Sequence, residues 1–255
     1  MSDTAMTIAI HDGKSGFHPR WIRYFKDQGI AYKLVDCYSS DIVTQLADCD
    51  ALLWHHNHAY PTDKLIAKPL LHALEHAGIP IFPDFNSHWH FDDKVAQKYL
   101  LEALGIASVQ TDVFFSSKEA CHWIEQQTFP KVFKLRGGAG SKNVRLVHTE
   151  NEAKKLVRKA FGAGFRQIDG WSQLKDTYRK FRLGKTNLKE LAKAAAHLLY
   201  PYQVEKAIGR EKGYVYFQEF IPENTFDIRV VVVDQKAFAI KRQVRKGDFR
   251  ASGSG

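Results

Sequence analysis

Residues 131–147, KVFKLRGGAGSKNVRLV, place a glycine loop between two apolar runs. The β-branched residues on both sides predict one strand before the loop and another after it. A loop of this composition exposes backbone N–H groups and typically binds an anion. Lys134 stands before the loop and Lys142 within it, so phosphate is the first candidate for that anion.

Three familiar phosphate-binding loops do not match this stretch. A Walker A loop spaces its glycines more widely and leads into a helix, whereas NVRLV after this loop resembles a strand. A Rossmann loop needs a third glycine where Asn143 stands, and a helix after it. A kinase loop is followed by its lysine, and the H-R-D and D-F-G signatures are absent here. What remains is a glycine hairpin between antiparallel strands, preceded by a strand lysine.

The length and composition are those of a folded protein with room for two modest domains. The chain has 255 residues, of which 44% are hydrophobic. The N-terminal stretch lacks a basic region and no apolar run reaches about 18 residues, so we expect neither a signal peptide nor a membrane span. Three widely spaced cysteines fit no disulfide framework and no Cys-x-x-Cys site. These features predict a cytoplasmic protein.

Charge is distributed unevenly along the chain. Residues 1–93 carry 7 basic and 12 acidic residues, whereas residues 94–255 carry 30 basic and 16 acidic ones. The basic part contains the glycine loop, which suits an anionic ligand such as a nucleotide. A nucleic-acid surface would produce the same imbalance, so charge alone leaves both open.

Short apolar runs alternate with helical patterns over the first 90 residues. Residues 7–11, 32–37, 51–56 and 79–82 are predicted strands. Strand–helix alternation predicts a parallel, doubly wound sheet. Ligands collect at the carboxyl ends of such strands, which makes residues 11–16 and 55–61 the expected ligand loops.

The rest of the chain changes pattern. A helix is predicted after Phe91, then a strand at 111–115 and a helix at 117–127 ahead of the glycine hairpin. Residues 162–213 are predicted to be a basic helical insertion, with 11 basic and 5 acidic residues and a solvated or partner-contacting face. Three runs after it predict a β-meander with a tight turn at Asp234-Gln235. They are residues 214–221, 226–234 and 236–244.

Four segments, in order, resemble the ATP-grasp superfamily, which includes D-alanine–D-alanine ligase, glutathione synthetase and RimK-like glutamate ligases. FPKVFKLRGGAGSKNVRLV resembles its lid, and FDDKVAQKYLLEALGIASVQT its preceding helix and strand. YFQEFIPENTFDIRVVVVDQKAFAIKR resembles the hinge and ribose-contact segment, and DFRASGSG the loop after it. The resemblance implies an α/β pre-ATP-grasp domain at 1–90 with a parallel sheet. A nucleotide-binding region of α+β character with antiparallel sheets follows at 91–255, with a lid subdomain at about 111–215 and an incomplete C-terminal subdomain.

The resemblance also implies roles for individual residues. Ammonium groups from separate elements can meet phosphate oxygens, backbone N–H groups can cover them, and a Gln amide suits an adenine edge. The alternative interpretations are that the two lysines are solvated surface residues, that the glycine loop is an ordinary hairpin, and that strand alternation alone explains the pattern around Gln218. The implied ATP-binding residues are Lys94 and Lys134 for the phosphates, Gly137, Gly138, Gly140 and Ser141 for the lid, Gln218, Glu219, Phe220 and Ile221 for adenine, and Asp227 for ribose.

Four cations are implied around the γ-phosphate and an acidic substrate: Arg229, Lys241, Arg242 and Arg250. Fixed cations would stabilise the charge of a developing acyl phosphate without reorganisation. Outward-facing charges on strands are the alternative. We expect these four to be the catalytic residues.

In ATP-grasp proteins Mg²⁺ is held by acidic residues and an asparagine on strands after the DFRASGSG-like loop, so its ligands are expected beyond Gly255 and none within this chain. We therefore expect a fragment or a natural short form that binds ATP weakly and turns over little. The complete form is expected to be an ATP-dependent carboxylate–amine (or thiol) ligase acting through an acyl phosphate. A small-molecule kinase of the same fold and a non-catalytic nucleotide-binding or interaction module are the alternatives.

The expected partners are ATP and a small-molecule or peptide carboxylate. No membrane partner is expected and, without an RNA-module signature, no nucleic acid is expected either. The sequence leaves a homo-oligomer open. Five histidines fit a zinc site poorly, because no cysteine lies nearby and adjacent residues of a strand point to opposite faces, so we expect them near a substrate cleft. They are His55, His56, His58, His88 and His90.

Overall fold

A computed structural model describes residues 6–57, 60–137, 143–166, 170–182, 184, 186–199, 209–244 and 249. The chain divides into two compact units, Met1–Phe91 and Asp92–Gly255, called here the N-terminal and C-terminal units. Among the described residues, no helix combines the length and the hydropathy needed to cross a membrane.

The N-terminal unit is built on a four-stranded parallel sheet with strand order β2-β1-β3-β4. Its strands are β1 (Thr7–His11), β2 (Ala31–Val35), β3 (Ala51–Leu53) and β4 (Ile81–Phe82). Its helices are α1 (His18–Gln28), α2 (Ile42–Gln45), α3 (Pro61–His76) and α4 (Phe85–His88). The predicted parallel sheet is therefore confirmed.

The core of the N-terminal unit is formed by apolar residues that recur at helical spacing in α3 and by the apolar residues of the strands. Ala67, Leu71 and Leu74 recur along α3 at helical spacing and are buried, together with Leu52 of β3. Trp54, which follows β3, belongs to the same cluster. Burial of one stripe of α3 against apolar strand residues is the physical reason that this alternating sequence forms an α/β layer.

The C-terminal unit contains a four-stranded antiparallel sheet with strand order β5-β10-β6-β7. Its strands are β5 (Thr111–Phe114), β6 (Lys131–Lys134), β7 (Val144–Val147) and β10 (Val215–Glu219). The helices that accompany it are α5 (Lys94–Ala103), α6 (Ser117–Ile124) and α7 (Glu150–Phe161). Parallel and antiparallel sheets in one chain confirm the predicted mixed α/β class.

The core of this second unit forms on one face of the antiparallel sheet. Phe133 and Phe217 are fully buried and oppose each other in the β6–β10 register, with ring centroids 5.6 Å apart. Trp123 of α6 stacks on Phe217 at 5.4 Å. Residues of β6 and β10 with the opposite parity, including Lys134 and Gln218, therefore lie on the other face.

The predicted β-meander is wrong, because its three strands do not share a sheet. β10 pairs with β5 and β6, whereas β11 (Phe226–Val233) and β12 (Lys236–Gln243) pair with each other in a separate hairpin. The predicted turn at Asp234-Gln235 is confirmed, since Val233 pairs with Lys236 and Asp234 has a φ of 52°. Local turn chemistry was visible in the sequence, whereas the partner of β10 was not.

Within its described residues, the basic insertion contains two helices, α8 (Gly170–Arg182) and α9 (Leu188–Leu199). Its two ends are joined by a short antiparallel pair, β8 (Phe165–Arg166) with β9 (Arg210–Glu211). The helical character predicted for residues 162–213 is therefore present, and the insertion leaves and re-enters the unit through one two-stranded sheet.

Candidate functional site

Lys134 ends β6 and projects from the face opposite the aromatic core. Its ammonium donates a hydrogen bond to Oε1 of Gln218 on the neighbouring strand β10. Nε2 of Gln218 donates in turn to Oγ1 of Thr111 at 3.0 Å, and the Thr111 hydroxyl donates to the carbonyl of Val109 at 2.8 Å. This chain of bonds fixes both the orientation of the Gln218 amide and the place of the Lys134 ammonium.

Lys94 reaches the same neighbourhood from the first turn of α5. The backbone N–H of Lys94 donates to the backbone carbonyl of Arg136 at 3.0 Å. The preceding residue, Asp93, is the N-cap of α5 and accepts from the N–H of Ala96 at 3.0 Å. Asp93 also accepts from Nε of Arg136 at 2.8 Å. The start of α5 is thus tied to the segment that leaves β6, which brings two lysines from separate elements together.

The surroundings of the two lysines disfavour the charged form of each side chain. Burial, with a contribution from the positive charge of Lys94, lowers the pKa of Lys134 to about 8. Burial also lowers the pKa of Lys94, against the opposing effect of Asp92, Glu211 and Asp93. A bound anion would favour the charged form of both groups. The arrangement therefore fits a phosphate or carboxylate ligand.

The glycine loop begins where β6 loses its strand partners. Of the four predicted lid residues, the structure describes Gly137. Its backbone N–H donates to Oε1 of Glu211 at 3.2 Å. The N–H of Arg136 donates to the hydroxyl oxygen of Tyr214. The other predicted lid residues, Gly138, Gly140 and Ser141, lie outside the described residues.

The predicted adenine segment continues from Gln218. Glu219 accepts from the ammonium of Lys131, which is 3% exposed and lies on the core face. The ring of Phe220 meets that of Phe249, a residue of the DFRASGSG stretch, at 6.3 Å. Ile221 is exposed. In this structure the Gln218 side chain is held by Lys134 and Thr111, which is a different environment from the adenine contact implied by the resemblance.

The predicted ribose residue and three of the four predicted catalytic residues lie on the β11–β12 hairpin, which separates them onto two faces. Asp227 and Arg242 are opposite each other in the register and form a bidentate ion pair with both N–O distances at 2.6 Å. Arg229 lies on that face by strand parity.

Lys241 lies on the other face of the hairpin, with its ammonium 4.0 Å from the ring centroid of Phe226. The expected convergence of the cations is corrected accordingly: the register places Lys241 away from Arg229 and Arg242. Arg250 lies outside the described residues.

The histidines of the N-terminal unit pack in aromatic surroundings. His55 lies 4.4 Å from Phe17, and His56 lies 4.8 Å from His88, between ring centroids. His90 lies 5.5 Å from Trp89, and His58 lies outside the described residues. Within the described part of the chain, no group of three or more His, Cys, Asp or Glu residues is arranged to hold a metal ion.

His11 lies at the end of β1, within the ligand loop predicted at residues 11–16. Its Nδ1 accepts from the N–H of Cys37 at 3.0 Å, and burial lowers its pKa. Four residues with contacts around the start of the glycine loop were not predicted from the sequence: Asp93, Arg136, Glu211 and Tyr214. Asp93 could have been recognised as an N-cap ahead of α5, whereas Glu211 and Tyr214 act across more than 70 residues of chain.

No protein-family model and no curated protein matches this sequence. Solved structures do match. A RimK domain ATP-grasp protein from Sphaerobacter thermophilus is 18% identical with a TM-score of 0.52, over 96% of this chain and 74% of that one.

Two further structures match this chain. The Aspergillus clavatus carboxyaminoimidazole ribonucleotide synthase, complexed with ATP, is 11% identical with a TM-score of 0.50, over 96% and 55% of the two chains. The biotin carboxylase domain of the Hydrogenobacter thermophilus 2-oxoglutarate carboxylase, in complex with MgADP, ADP and bicarbonate, is 15% identical with a TM-score of 0.51, over 94% and 51%. The chain thus spans about half the length of two of these structures and three quarters of the other.

Proposed function

We propose that this chain, which has the ATP-grasp fold predicted from its sequence and confirmed by those structures, binds the phosphates of ATP at Lys94 and Lys134. One observation carries the proposal: two ammonium groups are brought together by separate elements in surroundings that lower the pKa of both. Desolvation opposes the charge of both ammonium groups, and the charge of Lys94 also opposes that of Lys134; an anionic ligand would offset both effects. A triphosphate supplies that anion.

Gln218 links the phosphate site to a nucleoside site. Its amide oxygen is held by Lys134 and its amide nitrogen by Thr111. When phosphate oxygens accept the hydrogens of Lys134, Oε1 of Gln218 loses its donor and can accept from an adenine amino group instead. Phosphate and base would then bind as one event. Glu219, Phe220 and Ile221 continue the same segment, and Asp227 is the proposed ribose contact once Arg242 moves away from it.

The proposed reaction is ATP-dependent ligation of a carboxylate to an amine or thiol. A carboxylate oxygen of the substrate attacks the γ-phosphorus, and the bond to ADP breaks to give an acyl phosphate. The amine nitrogen or thiol sulfur then attacks the acyl carbon, inorganic phosphate leaves, and the nucleophile loses its proton to solvent or a base. Arg229 and Arg242, which share one face of the hairpin, are proposed to stabilise the negative charge on the transferred group.

In the part of the chain that the structure describes, no group of three or more His, Cys, Asp or Glu residues is arranged to bind Mg²⁺. The proposed roles of Lys94, Lys134, Arg229 and Arg242 are roles of fixed cations and do not depend on a metal contact. Mg²⁺ as a cofactor stays a prediction from the resemblance.

The test is a calorimetric titration of ATP into the chain and into Lys134→Ala. Charge-assisted hydrogen bonds to phosphate contribute about 1.5–3 kcal/mol, so the variant should bind ATP at least about tenfold more weakly. Lys155→Ala, which removes an exposed lysine of α7, is the matched control and should bind as the parent does. Equal affinity in the parent and in Lys134→Ala would contradict the assignment.

Product analysis separates the ligase from a kinase. A ligase releases free phosphate together with an amide or thioester, whereas a kinase leaves the phosphate on its product. Because Arg229 and Arg242 carry out the same charge stabilisation in either case, the product, not the site, decides between them.

A further inference from the structure

Gln218 and Thr111 face each other across two paired strands. They are direct partners in the β5–β10 register, and Gln218 lies on the sheet face that also carries Lys134. The backbone beside the pair is bonded as well, since the N–H of Glu219 donates to the carbonyl of Gln110 at 3.0 Å. Thr111 is 9% exposed. The sheet therefore sets the place at which the two side chains meet.

The hydroxyl of Thr111 accepts from Gln218 because its own proton is already used. It donates that proton to the carbonyl of Val109 at 2.8 Å and accepts from Nε2 of Gln218 at 3.0 Å. At the other end of the amide, Oε1 accepts from the ammonium of Lys134, which has donors and no acceptor. Both neighbours therefore favour the same orientation of the amide, with its nitrogen toward Thr111 and its oxygen toward Lys134.

A half-turn of the Gln218 amide would lose both hydrogen bonds. Its oxygen would face the oxygen of Thr111, which has no second proton to donate, and its NH₂ group would face the ammonium of Lys134. With Lys134 bonded to the amide, either neighbour is sufficient to select the orientation. When phosphate oxygens accept the hydrogens of Lys134, Thr111 is the one of these two neighbours that still selects it.

The orientation of the amide decides which base it recognises. An amide oxygen directed at the ligand accepts from an amino group, as adenine carries at its 6-position, whereas an amide NH₂ group donates to a carbonyl, as guanine carries there. With the oxygen held toward the base, a 6-oxopurine would bring one acceptor against another. The observed orientation therefore favours adenine and disfavours 6-oxopurines.

We infer that Thr111 is a positioning residue that makes the nucleotide site selective for adenine over 6-oxopurines, by holding the oxygen of the Gln218 amide toward the base. The inference rests on the proposed function and adds a base preference to it. Thr111 acts through Gln218 and is given no contact with the base or the phosphates. Without its hydroxyl, neither of the two neighbours distinguishes the ends of the amide once Lys134 binds phosphate, so either end can turn toward the base.

The experiment compares ATP with inosine triphosphate (ITP), which has the same ribose and triphosphate but carries a carbonyl at the 6-position of its base. Both are titrated by calorimetry into the parent, Thr111→Val and Thr111→Ser. The parent should bind ATP at least about tenfold more tightly than ITP. Thr111→Val keeps the β-branched shape and removes the hydroxyl, so its preference should fall to within about threefold. Thr111→Ser keeps the hydroxyl and should keep the preference of the parent.

A second readout follows the Gln218 amide directly, by NMR of its side-chain NH₂ group. The resonance of the hydrogen bonded to Thr111 should move in Thr111→Val and stay in place in Thr111→Ser. The side-chain amide of Gln45, which donates to Asp41 at 2.8 Å in the N-terminal unit, is the control and should not move in either variant. Slow exchange of the backbone N–H of Glu219 in both variants would show that the sheet is intact.

The outcomes separate the inference from the proposed function. If the parent binds ATP and Thr111→Val keeps the parent's preference for ATP over ITP, the inference is overturned and the proposed function stands. Equal weakening of both nucleotides in Thr111→Val would also overturn it, because a purely structural role lowers both affinities and leaves their ratio unchanged. A parent that binds ATP and ITP equally well would overturn it too. A parent that binds no ATP would overturn the proposed function and, with it, the inference.

Discussion

Binding of ATP should take up protons, because Lys134 is only partly charged before the ligand arrives. Its pKa is lowered to about 8 by burial and by Lys94. A phosphate beside the ammonium favours the charged form and moves the pKa back toward or above its usual value near 10.4. The ligand-free protein therefore holds fewer protons than the complex at any pH between those two values, and binding must be accompanied by proton uptake.

The magnitude follows from the two titration states. About half of the Lys134 side chains are neutral at pH 8 and about nine tenths at pH 9, so ATP should take up about 0.5 and 0.9 proton at these pH values. The same linkage weakens ATP binding by about tenfold between pH 7 and pH 9. Phosphate ionisations near pH 6 are complete in this range and do not contribute.

Calorimetry in two buffers with different ionisation enthalpies measures the uptake directly. Lys134→Arg is the informative variant, because a guanidinium stays charged and removes the uptake while keeping a cation. Lys155→Ala should retain the uptake of the parent. Binding heats of the parent that do not depend on the buffer at pH 8–9 would refute the account, as would equal proton uptake in Lys134→Arg.

Two predictions concern stability. Lys134→Met should raise the free energy of unfolding at pH 7 by about 1–3 kcal/mol, because it removes a buried ammonium. The gain should shrink toward pH 10, since the folded parent loses that proton above pH 8 while the unfolded chain keeps it; a gain that is the same at pH 7 and pH 10 in urea titrations would count against this. Phe217→Ala should cost about 3–5 kcal/mol, because Phe217 is fully buried between Trp123 and Phe133; a loss below about 1 kcal/mol would show that the core is not built as described.

Features set by neighbouring residues could be predicted from the sequence. The strand–loop–strand pattern around the glycines and the position of Lys134 on β6 depend on local alternation and on glycine. The helical character predicted for residues 162–213 corresponds to α8 and α9. Thr149 lies directly before α7, and its side chain accepts from the N–H of Glu152 as the side chain of an N-cap residue does. Each of these signals lies within a few residues of the feature it predicts.

Features set by distant pairing could not be predicted. β10 pairs with β5 on one side and with β6 on the other, and this central position buries Phe217. Residues 214–244 contain no signal that predicts these two strand partners. The register of the β11–β12 hairpin is different, because its predicted two-residue turn fixes the pairing, so the opposite faces of Lys241 and Arg242 could have been deduced from the sequence. The contacts of Glu211 and Tyr214 with the glycine loop connect residues more than 70 positions apart.

The most direct measurement is a crystal structure of the chain with ATP. Phosphate oxygens are predicted within hydrogen-bonding distance, about 2.7–3.2 Å, of the ammonium groups of both Lys94 and Lys134. The Gln218 amide should then have exchanged its contact with Lys134 for the adenine base. ATP bound elsewhere on the chain, or bound with its phosphates away from both lysines, would contradict the central claim.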